Sequence, residues 1–134
     1  MEEEVTFLAD THVWIWFAAE EHSKLSRKAT EAFESGARLA ISAASYWEIA
    51  VKDSLGKLRY DDGAWNWEVF DRGLTSAEAA WLPISREHAR AYARLPLRHR
   101  DPFDRMLIAQ AQCEGFKILT QDPAFSAYDV EVAW

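Results

Sequence analysis

The residues whose reading decides the fold are VTFLADTHVWIW, positions 5–16. Val5 to Ala9 is an apolar run of strand length that passes directly into Asp10 and Thr11. Thr11 to Ala19 then carries Val13, Trp14, Trp16 and Phe17, which predicts a short helix in preference to a continued strand. Outward from this unit the alternation repeats. Ser26–Ser35 reads as a helix stopped by Gly36, Leu39–Ile41 as a strand, and Ser42–Leu55 as a helix ending at Gly56. Ala64–Leu74 is expected to be helical, Trp81–Ile84 a strand, and Arg86 to about Leu95 a helix broken at Pro96. Asp101 caps a helix with Pro102 at its first position, and Gly115 ends it. Lys117–Thr120 and Val130–Ala133 are the last expected strands. Short apolar strands alternating with helices predict an α/β fold: a mainly parallel sheet of four or five strands flanked by helices. With 134 residues and no repeat or linker, residues 1–134 are expected to form one domain.

Parallel sheets place their sites outside the carboxyl ends of the strands, and four acids fall there. Asp10 follows the first strand, Glu48 lies in the helix leaving the second, Asp104 follows the Asp101 cap, and Asp122 follows the strand ending at Thr120. Three of them have ordinary structural explanations. Ser45-Tyr-Trp-Glu48 fits a capping box, Asp104 suits the positive end of a helix dipole, and Asp122-Pro123 opens turns. Asp10 has no evident structural duty. Four carboxylates in one place could not all stay ionised without a cation, and a hard ion such as Mg²⁺ or Mn²⁺ takes oxygen ligands while keeping waters. Such an ion lowers the pKa of a bound water and stabilises a leaving oxygen in phosphoryl displacement. Asp10, Glu48, Asp104 and Asp122 are therefore the candidate metal ligands and catalytic residues.

FLADTHVWIW (7–16), ISAASYWEIAVKDSLGKL (41–58), RHRDPFDRMLIAQA (98–111) and KILTQDPAF (117–125) together resemble the PIN-domain ribonucleases, specifically the VapC-type toxins of toxin–antitoxin pairs. The resemblance covers nearly the whole chain. It implies a PIN-like fold and a metal-dependent endoribonuclease whose acidic ligands match Asp10, Glu48, Asp104 and Asp122, with Thr11 and Thr120 as polar neighbours. The fourth acid is the least uniform position of that pattern. Asp101 is a helix cap first and an outer-shell candidate second. An RNA substrate, a cognate antitoxin and a homodimer are implied as partners.

Composition narrows the alternatives. The chain is 49% hydrophobic and 28% charged, with a net charge of −7, which argues against nonspecific coating of nucleic acid or membrane. The one cysteine, Cys113, excludes an intramolecular disulfide framework or a CxxC zinc site within this sequence. No apolar run approaches bilayer-spanning length and the first residues are acidic, so a soluble cytoplasmic protein is expected. Six arginines against three acids crowd the window from Arg86 to Arg105. Arg86, Arg90 and Arg94 share one helical face and, with Arg105, are the candidate RNA contacts; a solvated helix face is the plain alternative.

A phospho-receiver domain would need a second acid beside Asp10 and a lysine ending its strand. A haloacid-dehalogenase-like phosphatase would need an acid where His12 stands. A PIN-like module that binds RNA or protein without cleaving is the remaining alternative. His12, His22, His88 and His99 lack metal-ligand spacing, with His12 and His99 near enough to the acids to bond them. Of the tryptophans, Trp14, Trp16 and Trp47 are candidates for core or for a groove that takes a partner helix.

Overall fold

A computed structural model describes residues 6–60 and 63–134. Five parallel strands form the sheet: β1 (Thr6–Ala9), β2 (Arg38–Ser42), β5 (Ala80–Leu82), β6 (Lys117–Leu119) and β7 (Val132–Ala133), in the order β5-β2-β1-β6-β7. The helices are α1 (Thr11–Ala18), α2 (Arg27–Glu34), α3 (Ala43–Ser54), α4 (Trp67–Ser76), α5 (Arg86–Arg94) and α6 (Pro102–Glu114). Val5, expected to open the first strand, lies outside the described residues.

Strand alternation fills two cores. Leu8, Ala40 and Ile118 point to one face with Leu107 and Ile108 of α6; Ala9, Leu39, Ile41 and Leu119 point to the other with Val13, Trp14 and Phe70. Both faces are covered, as a parallel sheet requires. Trp14 is core, its ring N–H donating to the Ala40 carbonyl at 3.2 Å. Trp16 is half-buried and Trp47 exposed, so the three tryptophans divide.

The chain builds outward from β1 in one direction to β2 and β5, then returns to the other side of β1 with β6. The direction of winding thus reverses at β1, and Asp10 stands at its carboxyl end. A crevice at that reversal is the standard ligand position of open α/β sheets.

Two expectations need correcting. The helix placed at Ala64–Leu74 begins only at Trp67, because the Asn66 side chain caps it by accepting from the Val69 N–H at 3.2 Å. The residues before it pair instead: β3 (Arg59–Tyr60) and β4 (Gly63–Ala64) make a two-residue antiparallel ladder. The strand expected at Trp81–Ile84 is Ala80–Leu82, since Pro83 has no N–H to continue the ladder. Helix packing is tight where α1 meets α4: a Cβ on Gly73 would lie 2.6 Å from the Ala18 Cβ. Gly115 ends α6 in the left-handed conformation, at φ 72°. Among the described residues, no helix is long and apolar enough to cross a membrane.

Candidate functional site

Asp10 is 5% exposed and does have a structural duty, contrary to the sequence expectation. It is the N-cap of α1, its Oδ1 accepting from the Val13 N–H at 3.0 Å. Its Oδ2 accepts from the Thr120 hydroxyl at the end of β6. Burial pushes the Asp10 carboxyl up, opposed by its hydrogen bonds from Thr120 and Val13 and by the nearby His12. A capped helix needs no such burial of its cap, so capping alone does not account for Asp10.

Glu48, 3% exposed, is not in a capping box. Ser42 caps α3 by accepting from the Ala44 N–H at 2.9 Å, which places Ser45 inside the helix and leaves Glu48 free to act elsewhere. Its Oε1 accepts from the Thr11 hydroxyl and its Oε2 from the Lys52 ammonium, both at 2.7 Å. The carboxylate is thus clamped between α1 and its own helix.

Asp104 lies in the first turn of α6 behind the expected cap, Asp101, whose Oδ1 accepts from the N–H groups of Phe103 (2.9 Å) and Asp104 (3.0 Å). The Asp104 carboxyl is pushed up to about 6, by burial first, with a lowering contact from His99 and raising contributions from Asp101, Glu48 and Asp10. Asp104 therefore feels the charges of both Asp10 and Glu48, from two other segments of the chain. His99 Nε2 stands 2.9 Å from Asp104 Oδ2, and ligand atoms of His99, Asp101 and Asp104 all lie within 4.8 Å of one another.

Asp122 is exposed and caps a short 3-10 turn, Pro123–Ala127, by accepting from the Ala124 N–H at 2.9 Å. Its backbone N–H donates at 3.0 Å to the Thr120 hydroxyl that in turn bonds Asp10. Thr120 thereby ties the fourth acid's backbone to the first acid's side chain.

The arginines separate from this group. Arg105 is buried: its guanidinium donates to the Pro96 carbonyl (3.0 Å) and the Tyr128 hydroxyl (2.9 Å) and stacks 4.9 Å over the Tyr92 ring. It is a structural clamp, buried and with Nη1 bonded twice within the fold, so its expected role as an RNA contact gives way to a structural one. Arg86, Arg90 and Arg94 are exposed and line a groove of about 530 Å³ with Cys113. Cys113 lies nine positions along α6 from Asp104, about 13 Å of helix, so this row does not join the carboxylates.

Lys52 and Tyr128 were not singled out by sequence reasoning. Lys52 had a usable signal, its i,i+4 spacing from Glu48. Tyr128 had none: its hydroxyl accepts from the N–H groups of Arg98 (3.1 Å) and His99 (3.0 Å), fixing the loop that presents His99 to Asp104. Beside the acids lies an apolar slot of about 240 Å³, lined by Trp47, Ile84, Tyr92, Phe103 and Met106 among others. Trp47 is 63% exposed and meets Phe103 edge-on at 5.3 Å. The slot adjoins the site through the chain neighbours Glu48 and Asp104.

Oxygen donors suit a hard divalent cation, and Asp10, Glu48 and Asp104 offer them from three separate segments of the chain. Among the described residues, the ligand atoms found within 4.8 Å of one another are those of His99, Asp101 and Asp104, while Asp10 and Glu48 act on Asp104 through their charges.

Comparison with known proteins agrees with this architecture. The chain is 29% identical over 128 residues, spanning 87% of both proteins, to Ribonuclease VapC22 of Mycobacterium tuberculosis. In structure it is similar to VapBC2 from Rickettsia felis bound to a DNA fragment from their promoter (TM-score 0.72, 14% identity, 96% of this chain and 98% of that one). It is also similar to a toxin–antitoxin complex from Klebsiella pneumoniae (TM-score 0.64, 20% identity, 95% of each chain). The PIN domain profile matches residues 7–131. With its five-stranded parallel sheet and acids at the strand ends, the chain belongs to the PIN-domain family.

Proposed function

We propose that this protein is a divalent-metal-dependent endoribonuclease, the toxin of a VapC-type pair, restrained by a cognate antitoxin. One arrangement carries the reading: Asp10, Glu48 and Asp104 come from separate segments at the carboxyl end of a PIN-domain sheet, with Thr120 bonded to Asp10 and Thr11 bonded to Glu48. The kinship to Ribonuclease VapC22 supports the choice of RNA.

Asp10, Glu48 and Asp104 would hold the cation, with Asp122 on the solvent side. Bound there, Mg²⁺ or Mn²⁺ supplies a water of lowered pKa and a counter-charge for the phosphate. The chain's own residues do the positioning. Thr120 and the Val13 N–H fix the two oxygens of Asp10, Thr11 and Lys52 fix those of Glu48, and His99 holds one oxygen of Asp104. Clamped carboxylates cannot swing to follow a misplaced substrate, which favours one geometry of attack. Because water is the nucleophile, the RNA 2′-hydroxyl is not used, and the products carry 5′-phosphate and 3′-hydroxyl ends. Arg86, Arg90 and Arg94 engage the strand's backbone beyond the scissile bond.

The structural neighbours that are VapBC complexes support an antitoxin partner. The apolar slot at Trp47 and Phe103, the chain neighbours of Glu48 and Asp104, is where its side chains would bury, with a basic residue of the antitoxin turned toward the carboxylates. The sequence resemblance further supports a homodimer as the antitoxin-bound form.

Single-stranded RNA incubated with the protein and Mg²⁺ or Mn²⁺ tests the reading. Cleavage should stop with EDTA and in Asp10→Asn; full activity in EDTA, or 2′,3′-cyclic phosphate ends, refutes it.

A further inference from the structure

Helix α3 buries a second polar side chain besides Glu48. The Ser45 hydroxyl is wholly buried and has no hydrogen-bond partner among the described residues. Its neighbour Ser42 is bonded twice, donating to Gln110 Oε1 at 2.5 Å and accepting from the Ala44 N–H. A buried hydroxyl left without a bond costs stability, so an alanine at position 45 would serve the fold at least as well.

Ser45 and Glu48 are three residues apart and share the buried face of α3 with Ile49. Helical side chains lean toward the helix N-terminus, which lays the Glu48 side chain over the turn that holds Ser45. That carboxylate is bonded to Thr11, the residue after Asp10, and its charge reaches Asp104. An unpaired donor therefore sits on the same helix face as the carboxylate group, one turn from it.

We propose that Ser45 is a working part of the site: its hydroxyl donates to an oxygen that arrives with the hydrated cation. That oxygen is either a cation-bound water or a phosphate oxygen of the RNA. The proposal rests on the nuclease reading above. The competing role is a bond from the hydroxyl to the carbonyl one turn back in the helix, which would stabilise the fold and nothing more.

The test compares the wild-type chain with Ser45→Ala and with Ser45→Cys, which keeps the side-chain shape with a somewhat larger atom but weakens the donor. Melting temperature without metal, Mn²⁺ affinity by calorimetry, and kcat and KM for RNA cleavage are measured on each. Metal-free Ser45→Ala should melt no lower than wild type. Both variants should lose about tenfold in Mn²⁺ affinity if the hydroxyl meets a cation-bound water, the loss typical of supporting contacts around a metal. Unchanged Mn²⁺ affinity with KM raised several-fold would assign it to the phosphate oxygen instead. The proposal is overturned if metal-free Ser45→Ala melts several degrees lower, or if Mn²⁺ affinity, kcat and KM all stay at wild-type values. A wild-type chain that binds no Mn²⁺ overturns this proposal and the nuclease reading together. Normal wild-type binding and cleavage with indifferent variants overturns this one alone.

Discussion

Replacing Asp104 with asparagine should make the metal-free protein more stable while destroying its activity. The Asp104 carboxyl is pushed up from 3.8 to about 6, a penalty of about 3 kcal/mol on the ionised form at neutral pH. Partial solvent screening trims this to about 1.5–3 kcal/mol. Asparagine keeps the volume and an oxygen able to accept from His99, but carries no charge against Asp101, Glu48 and Asp10. For a chain of this length each kcal/mol is worth roughly 4 °C, so Asp104→Asn should melt about 6–12 °C higher than wild type at pH 7.5. The sign follows from the raised folded pKa. The protonated carboxyl costs nothing below the unfolded value of 3.8, and the ionisation penalty is complete once pH has risen past about 6. The gain should therefore shrink toward zero between pH 6 and pH 4. Scanning calorimetry of both proteins in EDTA, at pH 4 and pH 7.5, reads this directly. A variant that melts lower at pH 7.5, or gains equally at both pH values, would refute the claim that Asp104 is held ionised against its neighbours.

Three further outcomes follow from other contacts. Gly73→Ala should destabilise by about 1–3 kcal/mol in urea unfolding despite the better helix former, because its Cβ would meet Ala18 at 2.6 Å. Arg90→Ala should weaken RNA binding, lower the salt slope of log K by about one, and leave kcat unchanged, since its groove lies by Cys113, well along α6 from Asp104. Trp47→Ala should cost antitoxin affinity by about 2 kcal/mol in a calorimetric titration while sparing the fold, given its 63% exposure.

How far the sequence carries depends on the range of the forces involved. Local chemistry was legible. Asp101-Pro102 announced the start of α6 and Gly115 its end, because capping is decided within four residues. The alternation of strands and helices likewise sufficed for a parallel sheet. The β3–β4 ladder was not legible, since two residues per strand are too few to show a period. Arg105 was misread because its clamp uses Pro96, nine residues away, and Tyr128, twenty-three away, and residue type alone does not distinguish a buried guanidinium from a solvated one. The capping box expected at Ser45–Glu48 failed because Ser42, the residue closing β2, took the cap first. Asp10 proved to be both cap and candidate ligand, two roles that a sequence pattern cannot separate.

The central claim is that Asp10, Glu48 and Asp104 share one divalent cation. The most direct measurement is anomalous diffraction from crystals of this protein soaked in Mn²⁺. An anomalous peak should appear among these three carboxylates, with at least two of them within about 2.6 Å. It should vanish in crystals of Asp10→Asn. A peak held by His99, Asp101 and Asp104 without Asp10 or Glu48, or no peak at saturating Mn²⁺, would contradict the account.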